Sequence, residues 1–269
     1  MIWEDECYLL SKRKFRENAN IINIFTKKKG STKCCYKIIK ILKNMIWEDE
    51  CYLLSKRKFR ENANIINVFT QSKGKVSGVV YGGNSRKIRN YLQLSNKLFI
   101  IHNSKSENKL GYFKTELLKP ISPLYFNDKE RTTALLSLCS ILNVLLPEAQ
   151  PNEKIYKSFE TFINSINLKN WIILYIFFEL NLIKDLGYDP NLKKFRDEIE
   201  VNQIKKIKID DFVYEIPEFL ISNTVLEEIS NVLIKKSLCF TRNVIQNKFF
   251  IPNNLKFPRS RILLENYFN

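Results

Sequence analysis

One histidine, His102, and six cysteines without a CxxC pair leave this sequence poor in catalytic and metal-binding side chains. His102 has no evident serine or cysteine partner, so a nucleophile–base couple is not expected. Ribbon- and finger-type zinc sites lack their ligands, and the cysteines are expected as small hydrophobes and free thiols. Neither GxGxxG nor GxxxxGK[ST] occurs, which excludes the common nucleotide loops, and Gly82-Gly83 is expected to make a sharp turn. The acidic pairs Asp210-Asp211 and Glu227-Glu228 lack the spaced third carboxylate of a metal nuclease and are expected as surface charge. Long apolar runs are missing too. The longest, Trp171 to Phe178, stops at Glu179, far short of the ~20 residues a membrane span requires. The opening Met1-Ile-Trp-Glu-Asp-Glu has no basic start and no apolar stretch of a signal peptide. Together these absences predict a non-enzymatic cytoplasmic chain with no membrane contact, no metal and no cofactor.

Positive charge is plentiful and unevenly placed. The net charge is +16 over 269 residues, and 45% of the residues are hydrophobic, enough for a core. Residues 1–44 hold 11 Lys+Arg against 4 Asp+Glu, a net +7. Residues 45–119 hold 14 against 6, a net +8, and residues 120–269 hold 19 against 18, a net +1. AT-rich codon usage also raises lysine, but it would spread the excess evenly. A basic first half beside a neutral second half points to a polyanionic partner for the first.

Residues 1–26 and 45–70 are copies. Of 26 positions 25 are identical, and only Ile24 and Val68 differ. Stacked structural repeats diverge more than this and need about three units. The pattern predicts a recent partial duplication or a misassembled reading frame. The second copy runs on into a coherent domain, whereas the first continues into KKKGSTKCCYKIIKILKN. Residues 1–44 are therefore expected to be an appendage, dispensable for folding and binding.

From Met45 the pattern is that of short strands: Glu50–Ser55, Ala63–Thr70, Lys75–Tyr81, Leu92–Asn103 and Gly111–Leu118. Gln71-Ser-Lys-Gly74 and Gly82-Gly-Asn-Ser85 supply turns, and the polar stretch 103–109 breaks the last pair. Five short strands in roughly 70 residues suggest a small barrel, most commonly an OB-fold. After Pro120-Ile-Ser-Pro123 the period becomes helical. Helices are expected over Asp128–Leu146, Glu153–Ile166, Asn170–Leu186, Ser222–Lys236 (reaching as far as Gln246) and Arg259–Tyr267. A β-hairpin is expected near Val201–Ile209 and Phe212–Ile216. The predicted class is α+β, an N-terminal OB-fold β-barrel followed by a mainly α-helical domain. The predicted division is 1–44 appendage, 45–119 barrel and 120–269 helical domain.

An ordered series of residues resembles the RecO family of bacterial recombination mediators. It comprises Trp47-Glu-Asp-Glu, Leu54-Ser55, Glu61-Asn62, Ile65 to Thr70, Gly74-Lys75 and Gly78-Val-Val-Tyr-Gly-Gly-Asn-Ser-Arg-Lys87. Leu145-Leu-Pro-Glu148, Trp171…Phe178-Glu-Leu180, Leu186-Gly-Tyr188 and Ser260-Arg261 continue it. The likeness covers residues 45–190 well and 190–269 weakly. It implies binding to single- and double-stranded DNA and annealing of complementary strands. It also implies work with RecR and RecF to load RecA onto SSB-coated DNA, hence a nucleoid-associated protein. Some members carry a cysteine-rich zinc site after the Leu-Gly-Tyr helix. Asn191 to Arg196 here holds no cysteine, and no zinc is expected. Cys51 stands where the family often has glycine.

The residues expected to touch DNA are Lys56, Arg57, Lys58 and Arg60 on the first inter-strand connection, Lys73 and Lys75 at a hairpin turn, and Arg86, Lys87 and Arg89 after the glycine pair. Such loops flank the groove of an OB barrel. Phe59 and Tyr81 are candidates for base stacking or, alternatively, core residues. Lys129 and Arg131, with Leu135 and Leu138, could form the basic rim and apolar floor that an acidic, apolar SSB tail requires. A structural OB-type module binding RNA or a ribosomal partner without annealing is the competing reading. A decayed or misassembled gene copy is another.

Overall fold

The repeated residues fold the same way twice. The computed structural model describes residues 7–16, 19–26, 30–36, 45–104, 110–195, 204–224, 226 and 228–268, and as far as Met45 their backbone alone. The chain divides into two units. The first holds an antiparallel sheet of β1 (Cys7–Arg16), β2 (Ala19–Thr26) and β3 (Gly30–Tyr36), in that order. Cys7 pairs with Thr26 and Arg16 with Ala19, with irregularities between Leu9 and Ser11 and between Lys14 and Arg16. The second unit starts from the same design. Its β4 (Met45–Arg60), β5 (Ala63–Thr70) and β6 (Gly74–Tyr81) pair Cys51 with Thr70 and Arg60 with Ala63, with irregularities at Leu53/Ser55 and Lys58/Arg60. Identical residues thus give an identical hairpin, bulges included.

The second unit then adds α1 (Arg86–Tyr91), β7 (Lys97–Ser104) and β8 (Gly111–Lys119), and closes a barrel in the order β4-β5-β6-β8-β7. The closure is narrow. β6 and β8 run parallel over Gly78↔Gly111 and Val79↔Tyr112 only. Gly78 lies directly beneath the Phe113 ring, so that a Cβ there would sit 2.4 Å from a ring carbon. Gly74 holds the β5–β6 turn at φ +70°, against the backbone carbonyl of Gln150.

The Cys51-Tyr-Leu-Leu54 run does not alternate because both its faces are covered. Cys51 and Leu53 fill the barrel with Ile66, Val68, Val80, Leu98, Ile100 and Phe113. Tyr52 and Leu54, with Phe69, join the core of the helical region instead. Truncating such a side chain to alanine costs about 2–5 kcal/mol. Polar ties reinforce the joint. Tyr52 donates to Glu160 (3.1 Å), and Lys97 bridges Glu50 (2.8 Å) and Glu160 (2.9 Å).

The helical region comprises α2 (Lys129–Leu145), α3 (Glu153–Ser165), α4 (Trp171–Asp185), the hairpin β9 (Ile204–Ile209) and β10 (Phe212–Pro217), α5 (Glu218–Ser222), α6 (Asn231–Ile245) and α7 (Arg259–Asn266). Asp128, Asn152 and Ser230 cap α2, α3 and α6, each side chain accepting a backbone N–H of the first turn. A buried ion pair joins distant helices: Arg261 donates to both oxygens of Glu179 (2.6 and 2.9 Å), and Tyr175 and Thr241 donate to the same carboxylate. These four bonds occupy both carboxylate oxygens, so the buried pair is matched by partners on three helices.

Three expectations need correction. Leu92–Asn103 is not one strand: Ser85 caps α1, a turn succeeds Leu92, and β7 begins at Lys97. Ser222 ends a short helix rather than starting a long one, because α6 takes its cap from Ser230 and runs into a π-helical turn at Gln246–Phe250. Lys56 to Arg60 is not a connection but the end of β4, and only Glu61-Asn62 bridges to β5. The strand start expected at Val201, residues 105–109 and Glu227 lie outside the described residues.

Candidate nucleic-acid interface

Two basic segments far apart in sequence are bolted together at one end of the barrel. Gly82 N donates to the Asn62 carbonyl (2.7 Å), Asn84 to the Glu61 carbonyl and Asn64 to the Asn84 side chain (3.2 Å). These bonds fix the Glu61-Asn62 turn against the turn that leads into α1. The ammonium of Lys56 then reaches across to the Leu92 carbonyl at the end of α1, 2.8 Å away. Burial, and secondly the charge of Arg89, pull the Lys56 pKa below its ordinary value. Like charges are therefore held close here against their repulsion.

Cross-strand partners share a face of the sheet, which sorts the remaining cations. Arg57 lies in the row Ile65–Val79, and Arg60 in the row Ala63–Tyr81. Lys56 and Lys58, opposite Ile66 and Asn64, belong to the other face, toward α1. Arg57, Lys58, Arg60, Arg86, Lys87 and Arg89 are all exposed, and none has a carboxylate partner among the described residues. Phe59 is 45% exposed with the Arg60 guanidinium over its ring. Tyr81 is 62% exposed, its ring 6.1 Å from that of Tyr112. Neither aromatic is a core residue. Tyr112 was not anticipated. Its only signal is its alternation with the buried Phe113 at the start of β8.

Lys73 and Lys75 stand apart from this cluster. Lys73 occupies the turn at the other end of β5, roughly 25 Å away at about 3.4 Å per residue. Asp49 is hydrogen-bonded to Ser72 beside it. Lys75 is turned inward. Its Nζ donates to the Asn143 carbonyl at 2.9 Å, and burial lowers its pKa. With Asn67 bonded to Asn143 (2.7 Å) and Ala149 N to the Lys75 carbonyl (2.8 Å), it anchors β5–β6 to the helical region. Arg131 is also committed to structure: it bonds Asp128, the carbonyls of Ile166 and Leu168, and lies over the Trp171 ring. Leu135 and Leu138 are core residues, so the apolar floor expected beside Arg131 is not formed by them. Lys129 remains exposed.

His102 is buried against Trp47, ring centroids 4.8 Å apart, and burial lowers its pKa. Asp210 pairs with Lys248 and Glu228 with Lys169. Among the described residues there is no cluster of three or more His, Cys, Asp or Glu able to hold a metal ion, and no helix is long and apolar enough to cross a membrane.

Both parts of the second unit have counterparts among known proteins. The family described as Recombination protein O N terminal matches residues 45–121, and Recombination protein O C terminal matches residues 127–194, together more than half of the chain. The chain belongs to the RecO family. The RecO match starts at Met45, so the barrel of the second unit, and not the first copy of the repeat, is the RecO barrel. Among its relatives, the DNA repair protein RecO of Ehrlichia chaffeensis is 33% identical over 196 residues, covering 72% of this chain and 62% of that protein. That of Cereibacter sphaeroides is 31% identical over 194 residues (72% and 63%), and that of Wolbachia pipientis wMel is 26% identical over 193 residues (64% and 80%). The chain thus spans about three-fifths of the length of the first two RecO relatives.

Proposed function

We propose that this chain is a non-catalytic recombination mediator that binds single- and double-stranded DNA at the basic end of its barrel. One observation carries the reading: Lys56, Arg57, Lys58, Arg60, Arg86, Lys87 and Arg89 converge at one place without acid partners among the described residues, beside exposed Phe59 and Tyr81. Lysine and arginine neutralise phosphates and release counterions, giving affinity without sequence preference. Aromatic rings stack on any base, at about 1–3 kcal/mol each. A surface with both can hold two unpaired strands in reach of each other, which is what annealing requires. Family membership supports the further assignments to annealing, to RecA loading on SSB-coated DNA, and to RecR, SSB and RecF as partners. It also supports a place in the cytoplasm at the nucleoid. An SSB tail docking at Lys129 belongs to the same proposal. There Lys129→Glu is the informative change, since Arg131→Glu would also break the α2 cap.

The test is annealing of complementary oligonucleotides in the presence of SSB, with a salt titration of single-strand binding. Steep loss of affinity with salt, and annealing that disappears in Arg57→Glu/Arg60→Glu, are expected. Salt-independent binding, or annealing untouched by those changes, would remove the proposal. Binding of RNA with no annealing would favour the RNA-associated module.

A further inference from the structure

The irregular stretch before α7 lies against the barrel beside this basic end. A groove of about 490 Å³ lies between Leu54–Lys56 of β4 and Leu94 on one side, Ser140, Asn143 and Val144 of α2 below, and Lys256–Ser260 on the other side. Three of its lining residues are cations, Lys56, Lys256 and Arg259, and none is a carboxylate. Lys256 and Arg259 are exposed, and neither has an acid partner among the described residues. The groove also has hydroxyl and amide groups along its walls, from Ser55, Ser140, Asn143 and Ser260, over the apolar floor of Leu54 and Val144. Lys56 is shared: it lines this groove and belongs to the basic end of the barrel, tethered to the Leu92 carbonyl between the two.

We infer that the groove carries the sugar–phosphate backbone of a DNA strand onward from the barrel, with Lys256 and Arg259 as phosphate contacts contributed by the helical region. The inference rests on the DNA-binding reading above and extends it to residues outside the barrel. Its chemistry is that of a backbone track: cations and hydroxyls on the walls suit phosphate and sugar, and the absence of carboxylates leaves nothing to repel a polyanion. The walls come from β4, α2 and the 256–260 stretch, all parts of one unit, so the track is preformed and its occupation demands little ordering of the protein.

The experiment is a salt titration of oligo(dT) binding by the full chain, comparing wild type, Lys256→Gln/Arg259→Gln and the barrel variant Lys58→Gln/Arg60→Gln, with thermal unfolding of each. Each lost single-strand phosphate contact makes the slope of log K against log salt shallower by about 0.7. The groove pair should therefore shift it by about 1.4, with an unchanged unfolding temperature. Lys256→Gln alone, on an exposed side chain outside any helix, should shift it by about half as much and guards against misfolding of the double variant. A groove variant with wild-type slope and affinity, beside a weakened barrel variant, overturns this inference and leaves the barrel reading standing. Wild-type behaviour in both variants overturns the two together.

Discussion

Two stretches of this molecule have nearly the same sequence and unequal fates. β1–β2 and β4–β5 share residues, register and bulges, yet among the described residues only the second belongs to a closed barrel. The hairpin itself is therefore not what decides. The third strand is. β3 pairs with β2 as β6 pairs with β5, but Cys34 takes the register position of Gly78: each lies opposite the equivalent isoleucine, Ile22 or Ile66. In the barrel that position lies under Phe113, and a Cβ there would collide with the ring. A meander carrying cysteine at that place cannot be closed by β8 without displacing Phe113. The lesson is that a barrel's identity lies in its closing contacts, where one missing methylene admits the last strand.

The contrast is tested most directly by giving the second copy the first copy's residue. Gly78→Cys should destabilise the barrel by about 1–3 kcal/mol through overpacking, read as a lower unfolding temperature. Adding Phe113→Leu should recover part of the loss. An unaltered unfolding temperature would mean that closure does not depend on this contact. Next in size is charge reversal in equivalent places. Arg57→Glu/Arg60→Glu should weaken single-strand binding at least tenfold, about 1.4 kcal/mol. Arg13→Glu/Arg16→Glu, the same substitution in the first copy, should change it much less. Equal losses would assign DNA binding to the repeated sequence itself rather than to its setting beside α1.

How far these differences can be read from sequence depends on where the determining contacts lie. Ala63–Thr70 and Gly111–Leu118 were legible because β-branched and aromatic residues end at turn residues. Asp128 and Asn170 similarly marked helix starts within a residue. α1 was not legible. Arg-Lys-Ile-Arg-Asn-Tyr is too short for a period, and its helix rests on the Ser85 cap and on Ile88 and Tyr91 packing against the barrel core. The extension of β4 to Arg60 was hidden because a charge run resembles a loop until pairing with β5 is known. Lys75 looked like its basic neighbours, and only the Asn143 carbonyl shows it to be an anchor. Lys256 and Arg259 were averaged away in a stretch whose net charge is near zero. Spatial convergence of cations is a property of tertiary structure, and the composition of a segment gives only its sum.

Removal of residues 1–44 should have a smaller effect than any substitution above. The barrel keeps all its strands, so the unfolding temperature should stay nearly constant, within the roughly half kcal/mol typical of surface changes. Loss of the +7 carried by this segment should lower affinity modestly at low salt and less at about 0.15 M, where salt screens charge more strongly. A chain starting at Met45 that fails to fold would show that the first copy supports the second.

The finest distinction is one of pH. His102 lies on β7, a strand with no counterpart among the described residues of the first unit, and its ring is buried against Trp47 and Phe113. Burial disfavours the protonated ring, so the folded chain releases this proton at a lower pH than the unfolded chain, whose histidine keeps the usual value of 6.5. Between those two values the unfolded state binds more protons, and stability must fall as the pH is lowered below about 6.5 and level off beneath the folded-state value. His102→Phe, which keeps the stacking ring and cannot titrate, should flatten that decline in urea melts followed from about pH 7.5 to about pH 5. A decline of the same size in the variant would locate the sensitivity in the carboxylates. Since the sequence contains one histidine, this titration reports on the closed barrel and not on the first copy of the repeat.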